Sequence, residues 1–288
     1  MIYRRRLTVS LAAAGLTLLA ALPAGAQQAT DFRWSKAVAA GARVRLSNVN
    51  GNVTVSPSAG NQVEVVGRRL RGTAEDIRVD VVESSDGLVV CVVRPRDRCD
   101  EDGMHSRRND RDDDDRDDRW RGRIDLDVKV PRGLQLSAGS VSGDVQVTSV
   151  EGDVRASSVS GDVRVEGVRA TRLSASSVSG DVTANAVSLS GAGNFSSVSG
   201  RLTTALNALS GSGDLKFSSV SGDVTAELPR DFSADLRMST VSGRIDSSYP
   251  ITIEGRTNSR RLEGRIGNGG RRLTVTTVSG DLRLRSRG

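Results

Sequence analysis

One phrase returns along this 288-residue chain and limits what it can fold into. Ser-Val-Ser-Gly-Asp-Val stands at Ser140–Val145, Ser158–Val163, Ser177–Val182 and Ser219–Val224, with variants at Ser197–Leu202, Thr240–Ile245 and Thr277–Leu282. Its glycines Gly143, Gly161, Gly180, Gly200, Gly222 and Gly243 follow one another at intervals of 18, 19, 20, 22 and 21 residues. Such a period in a Val-, Ser- and Thr-rich chain predicts an all-β fold, a β-solenoid with coils of about 20 residues.

Glycine adopts φ > 0 without steric cost and aspartate bonds nearby amides, so Ser-Gly-Asp is a tight turn between strands. The structural turn residues are thus Gly143 and Asp144, Gly161 and Asp162, Gly180 and Asp181, Gly222 and Asp223, and Gly280 and Asp281. After each turn the residues alternate. In Asp162-Val163-Arg164-Val165-Glu166 the valines share one face and the charges the other, the mark of a half-buried strand. A half-phrase at Glu151-Gly152-Asp153-Val154, at Gly191 and at Gly213-Asp214-Leu215 supplies a second turn, so each coil holds two strands. Aromatic residues make up only 3% of the chain, less than a large globular enzyme buries; thin stacked coils need only small β-branched side chains.

The pattern begins early. Ala42–Leu46 alternates, and Asn48-Val49-Asn50-Gly51-Asn52-Val53 is the phrase with Asn in the polar positions. The single domain therefore spans 42–288, after a flexible lead-in at 27–41 in which Phe32 and Trp34 are candidates to cap the first coil. Strands at Gln62–Val66, Ile77–Val82 and Leu88–Val93, the last two around a hairpin turn at Ser84-Ser85-Asp86-Gly87, form an irregular β N-terminal cap protecting the open end. Ile124–Val130 is a clean amphipathic strand ended by Pro131-Arg132-Gly133. Counting Glu263-Gly264-Arg265-Ile266 as a degenerate coil keeps the series unbroken, and seven or so coils make a rod of roughly 35 Å.

Residues 1–26 read as a secretion signal: Arg4, Arg5 and Arg6, an apolar run from Leu7 to Leu22, then Ala24-Gly25-Ala26 at the cleavage site. Its removal takes the formal charge from +6 to +3, leaving little general basicity, and an exported chain poor in aromatics is a bad nucleic-acid binder. No transmembrane segment remains after cleavage, so export through the inner membrane leads to the periplasm by default, with the cell surface or secretion as alternatives. In that oxidising setting Cys91 and Cys99, eight residues apart, are expected to form a disulfide.

The stretch 96–123 breaks the pattern. Its carboxylates, including the run Asp112, Asp113, Asp114 and Asp115, are interleaved with arginines, and so few apolar residues predict a disordered charged insertion. Calcium is the sharper reading of the four aspartates, but they lack the spacing and glycine of a calcium loop. No cofactor is expected. The only histidine, His105, lies in this stretch with no partner evident in the sequence, so a Ser-His-Asp arrangement is not indicated despite the many serines. Asp144, Asp153, Asp162, Asp181, Asp214, Asp223 and Asp281 stack as a row that could bind calcium or sugars or serve as paired acids; the competing reading is that each satisfies its own turn. Arg201 and Arg244 interrupt the row, favouring turn-making. Likewise Ser157-Ser158, Ser176-Ser177, Ser196-Ser197 and Ser218-Ser219 either form hydroxyl ladders or supply small residues for crowded corners.

The Val-Ser-Gly-Asp-Val phrases, the strand Ile124–Val130 with Pro131-Arg132-Gly133, and the opening Val49-Asn50-Gly51-Asn52-Val53 resemble the DUF4097 family of adhesin-like bacterial β-repeat proteins. The resemblance implies a β-repeat fold and an adhesive role, with no catalytic residues to transfer. The expected function is an exported, non-catalytic binding or structural module of the bacterial envelope, whose partner is a glycan or an envelope protein. The alternatives are a polysaccharide-active enzyme using solenoid-face carboxylates, and an envelope-stress or assembly factor recruiting a partner through the charged insertion.

Overall fold

A computed structural model describes residues 32–105, 122–254 and 257–287. The secretion-signal stretch and Asp112–Asp115 lie outside them. The chain opens with β1 (Phe32–Ala37), β2 (Arg43–Asn50), β3 (Val53–Pro57), β4 (Gln62–Arg71), β5 (Arg78–Ser84) and β6 (Gly87–Val93). A small hairpin of β7 (Arg98–Asp100) and β8 (Gly103–His105) precedes β9 (Arg123–Val130). Strand pairs follow: β10 (Leu134–Ser142) and β11 (Val145–Thr148), then β12 (Gly152–Ser160) and β13 (Val163–Glu166). After the short β14 (Arg169–Ala170) come β15 (Leu173–Ser179) with β16 (Val182–Leu189), β17 (Gly193–Ser199) with β18 (Leu202–Leu209), and β19 (Leu215–Ser221) with β20 (Val224–Pro229). The last part holds β21 (Ala234–Ser239), β22 (Ile245–Ser247), β23 (Ile251–Ile253), β24 (Arg261–Ile266), β25 (Arg272–Thr276) and β26 (Leu282–Arg287).

These strands form two long sheets, and each coil contributes one strand to each. Sheet I runs β1-β4-β9-β3-β11-β13-β16-β18-β20-β26-β22; sheet II runs β23-β24-β21-β25-β19-β17-β15-β12-β10-β2-β6-β5. Parallel pairing in register, such as Val145↔Val163 and Ala156↔Ala175, repeats along the stack, and the predicted β-solenoid is present. Valine, leucine and alanine fill the space between the sheets, and burying each large aliphatic side chain contributes about 1.5–3 kcal/mol. In one inward row of sheet II, Ala138, Ala156 and Ala175 give way to Phe195 and Phe217, whose stacked rings lie 5.1 Å apart. Gly193 makes room for them: a Cβ there would sit 3.0 Å from the Phe195 ring.

The order of coils departs from the order of the chain at both ends. The layer β6–β9 lies outside β2–β3, with β6 parallel to β2 and β9 parallel to β3, while β10–β11 stacks on the other side. The first coil is therefore second in the stack. Likewise β25–β26 is inserted between β19–β20 and β21–β22. Antiparallel strands close both ends, β5, β4 and β1 at one and β24 and β23 at the other. The described residues form nine parallel layers. Eight steps of about 4.8 Å give a rod of roughly 38 Å.

Three sequence expectations are corrected here. The lead-in 27–41 contains β1, whose Phe32 and Trp34 pack against the core while its backbone pairs with β4. The stretch 96–123 is ordered at both borders: β7 and β8 form a hairpin, and Arg123 already belongs to β9. The Cys91–Cys99 disulfide, with a Cα separation of 5.9 Å, ties that hairpin to β6, a constraint that composition does not show. Finally, Glu263-Gly264-Arg265-Ile266 is part of β24, which runs antiparallel to β21 as a cap and is not a coil.

Candidate functional site

The turn phrase builds one corner of the solenoid, and neighbouring coils use up most of its polar groups. Asp162 N–H donates to Asp144 Oδ1 at 2.8 Å, Asp181 N–H to Asp162 Oδ1 at 2.9 Å, and Arg201 N–H to Asp181 Oδ1 at 2.7 Å. Asn52 holds the same place in the first coil, accepting from Asp144 N–H at 3.0 Å and donating its own N–H to Asp125 Oδ1 at 2.9 Å. A second run joins Asp223, Asp281 and Arg244 by bonds of 2.9 and 3.0 Å. Each of these carboxylates thus caps the amide of the adjacent coil, rather than its own turn. Arg201 and Arg244 stand where a run ends, because their side chains cannot accept the next amide.

Arginines neutralise the same carboxylates. Arg164 lies 2.7 Å from Asp162, and Arg283 bridges Asp223 and Asp281 at 2.9 Å each. The Arg283 hydrogen bond, with the amide of Asp281, holds the Asp223 carboxyl below its ordinary value. The hydroxyls are also engaged across coils: Ser158, Ser177 and Ser197 donate to the carbonyls of Gly143, Gly161 and Gly180 at 2.8, 2.8 and 3.0 Å. Ser219 Oγ, at the matching place, is buried without a bond. The turn glycine is required by close approach more than by its dihedrals, since a Cβ on Gly180 would lie 2.2 Å from the Gly161 carbonyl oxygen.

The β7–β8 hairpin covers the outer face of sheet II at β6, burying Val89, Cys91 and Val93, and that face is available beyond it. Alternation points four rows of side chains outward along the rod. Row one contains Arg43, Gln135, Asp153, Arg172, Ala192 and Asp214; row two contains Arg45, Ser137, Arg155, Ser174, Asn194 and Lys216. Between them runs an axial groove of about 620 Å³, floored by the backbone of Leu136, Val154, Leu173 and Gly193. Row three is small and mostly hydroxyl-bearing, with Ser157, Ser176, Ser196 and Ser218 half-buried. Row four is a rail of valines, Val159, Val178, Val198, Val220, Val278 and Val241, each 42–60% exposed. Of the two valines in the phrase, then, only the one after Asp is core. The hydrophobic signal is the same for both, and only the strand phase through the inward Ser158 separates them.

Charge is uneven across the groove. In row one Arg172 reaches Asp153 at 2.7 Å and Arg43 reaches Asp86 at 2.9 Å. In row two Arg45 donates to the carbonyl of Asp102, while Arg155 and Lys216 are exposed; no carboxylate pairs with these three cations among the described residues. His105 contacts Asp100 at 2.9 Å across the β7–β8 hairpin, where both are exposed, a partner the sequence did not disclose. No group of three or more His, Cys, Asp or Glu with metal-holding geometry occurs among the described residues, and no helix long and apolar enough to cross a membrane occurs among them.

A separate cluster fixes the C-terminal layers. Arg271, almost wholly buried, donates to the carbonyls of Ser210 at 2.7 Å and Gly211 at 2.5 Å, with its guanidinium 5.9 Å from the Phe232 ring. Burial lowers its pKa. Tyr249 Oη lies 2.7 Å from the carbonyls of both Leu228 and Pro229, and burial pushes the phenol up to about 12.

No curated protein matches the chain. Two solved structures are similar to it over most of their length. A putative cell adhesion protein from Clostridium sporogenes is 8% identical, covering 89% of this chain and 99% of that one, with a TM-score of 0.39. A putative adhesin from Bacteroides fragilis is 12% identical, covering 89% and 96%, also at 0.39. The model of the family described as Toastrack DUF4097 matches residues 122–285, more than half of the chain and most of the solenoid. The chain belongs to the Toastrack DUF4097 family.

Proposed function

We propose that the protein is an exported, non-catalytic binding module of the bacterial cell envelope, adhesin-like, with the outer face of sheet II as its contact surface. The observation that carries this reading is the axial groove of about 620 Å³ crossing successive coils, a continuous surface on which polar and charged side chains stand in register from coil to coil. The carboxylates that could have served as paired acids are engaged elsewhere: Asp144, Asp162 and Asp181 each accept an amide of the next coil at 2.7–2.9 Å. The signal-like stretch and the Cys91–Cys99 disulfide support a periplasmic or surface location.

The test is binding of the purified protein to whole cells and to a panel of envelope polysaccharides. A control variant carries scrambled outward residues on sheet II and an unaltered core. Saturable binding that the control lacks is expected, and equal retention of both proteins by every target overturns the proposal.

A further inference from the structure

We propose that the axial groove binds a linear polysaccharide carrying carboxylate groups, laid along the rod, with the row of Arg45, Arg155 and Lys216 pairing to its acid groups. This rests on the reading of sheet II as the contact face and names its ligand. The cations of the groove fall into two sets. Arg172 and Arg43 are compensated by Asp153 and Asp86. The three with no carboxylate partner among the described residues all stand in row two. In-register pairing sets their separation: Arg45 and Arg155 are two strands apart and Arg155 and Lys216 three, about 10 and 14 Å along the axis. Neighbouring charges at these separations act on a ligand within roughly one to two Debye lengths of each other.

The geometry selects an extended, stiff polyanion. The groove crosses the strands, so an acidic peptide cannot lie along it by adding itself as a strand, which requires a sheet edge. Between the cations stand Ser137, Ser174 and Asn194, with Gln135 on the opposite wall, donors and acceptors suited to a hydroxyl-rich chain. No aromatic side chain lines the groove, so stacking of nucleobases or neutral sugars has no platform, and charge with hydrogen bonding carries the affinity.

The experiment measures binding of the purified protein to polygalacturonate, fully methyl-esterified polygalacturonate and single-stranded DNA by calorimetry across a salt series. The double variant Arg155→Ser, Lys216→Ser places in row two the residue that Ser137 and Ser174 already supply, and its thermal midpoint is expected to be unchanged. Binding of the acid form, loss of binding to the ester, weakening with salt and an affinity loss of about tenfold or more in the variant support the proposal. The salt series on the unaltered protein decides the matter if the variant does not fold. Equal binding of acid and ester, an unchanged affinity in a folded variant, or DNA bound as tightly as polygalacturonate overturns it. Binding of neutral polysaccharides or cells without polygalacturonate overturns this inference alone; binding of none of them overturns the contact-face reading as well.

Discussion

At the scale of single residues, conformation and contact separate positions that look alike in sequence. Gly180 and Gly167 are both turn glycines, but Gly180 faces the Gly161 carbonyl while Gly167 has a φ of 62°. Gly180→Ala forces backbone apart between two coils, and a loss of about 3 kcal/mol or more is expected in denaturant unfolding. At the corner next to Gly167, Ala186 sits in the left-handed region with a φ of 53°. Ala186→Gly removes a steric cost of about 1–2 kcal/mol, offset in part by the greater chain entropy of glycine, and a small rise in melting temperature is expected.

Titration at Tyr249 belongs to the same scale. A phenol whose folded pKa is raised contributes stability in full below its unfolded value of 10.0, and that contribution is lost as pH rises through about 12. Stability should therefore fall across that window, and Tyr249→Phe should flatten the decline while lowering stability at neutral pH through loss of the buried hydroxyl's hydrogen bond. An unchanged alkaline slope in the variant refutes the assignment. The opposite sign holds for Asp223, whose depressed pKa supplies stability above its ordinary value of 3.8 that disappears as pH falls below it.

At the scale of elements, what matters is how one coil grips the next. The strand pairs were legible in the sequence because Val163 and Val165 alternate with Arg164 and Glu166. The direction of the Asp grip was not, since an aspartate beside a glycine satisfies its own turn or its neighbour's with identical spelling. Asn52 shows which property is used: an acceptor oxygen, without charge, does the work in the first coil. Accordingly Asp162→Asn should retain most of the stability, whereas Asp162→Ala leaves the Asp181 amide without its partner and should cost about 1–3 kcal/mol. Equal losses in chemical denaturation for the two variants would show that charge, through Arg164, is what counts.

The whole molecule is where sequence reading was least informed. Nothing local in Leu282–Arg287 states that this strand enters between β20 and β22, because its alternating leucines would fit beside any coil of the same pitch. The groove shares that difficulty: Arg45 and Arg155 are far apart in the chain and become neighbours only through stacking that skips the outer layer. The valine rail was hidden for another reason, the hydrophobic composition of exposed and core positions being the same. One prediction follows from register. Val154 pairs with Leu173, so excising residues 154–172 removes a complete coil and rejoins the chain in phase; the shortened protein should unfold cooperatively in a thermal melt. Deleting 272–287 instead removes a layer with neighbours on both sides, and loss of the cooperative transition is expected.

The interleaved ends also decide where such a molecule can change its length. A solenoid whose last coil is its outermost can gain or lose units at its tip. Here each tip is stitched down by a segment from elsewhere in the chain, so copies can be added or dropped only in the run from β10 to β20. There every coil follows its predecessor in both sequence and space. The near-identical phrases at Ser140, Ser158 and Ser177 lie in that interval, where duplication lengthens the groove and leaves both ends sealed.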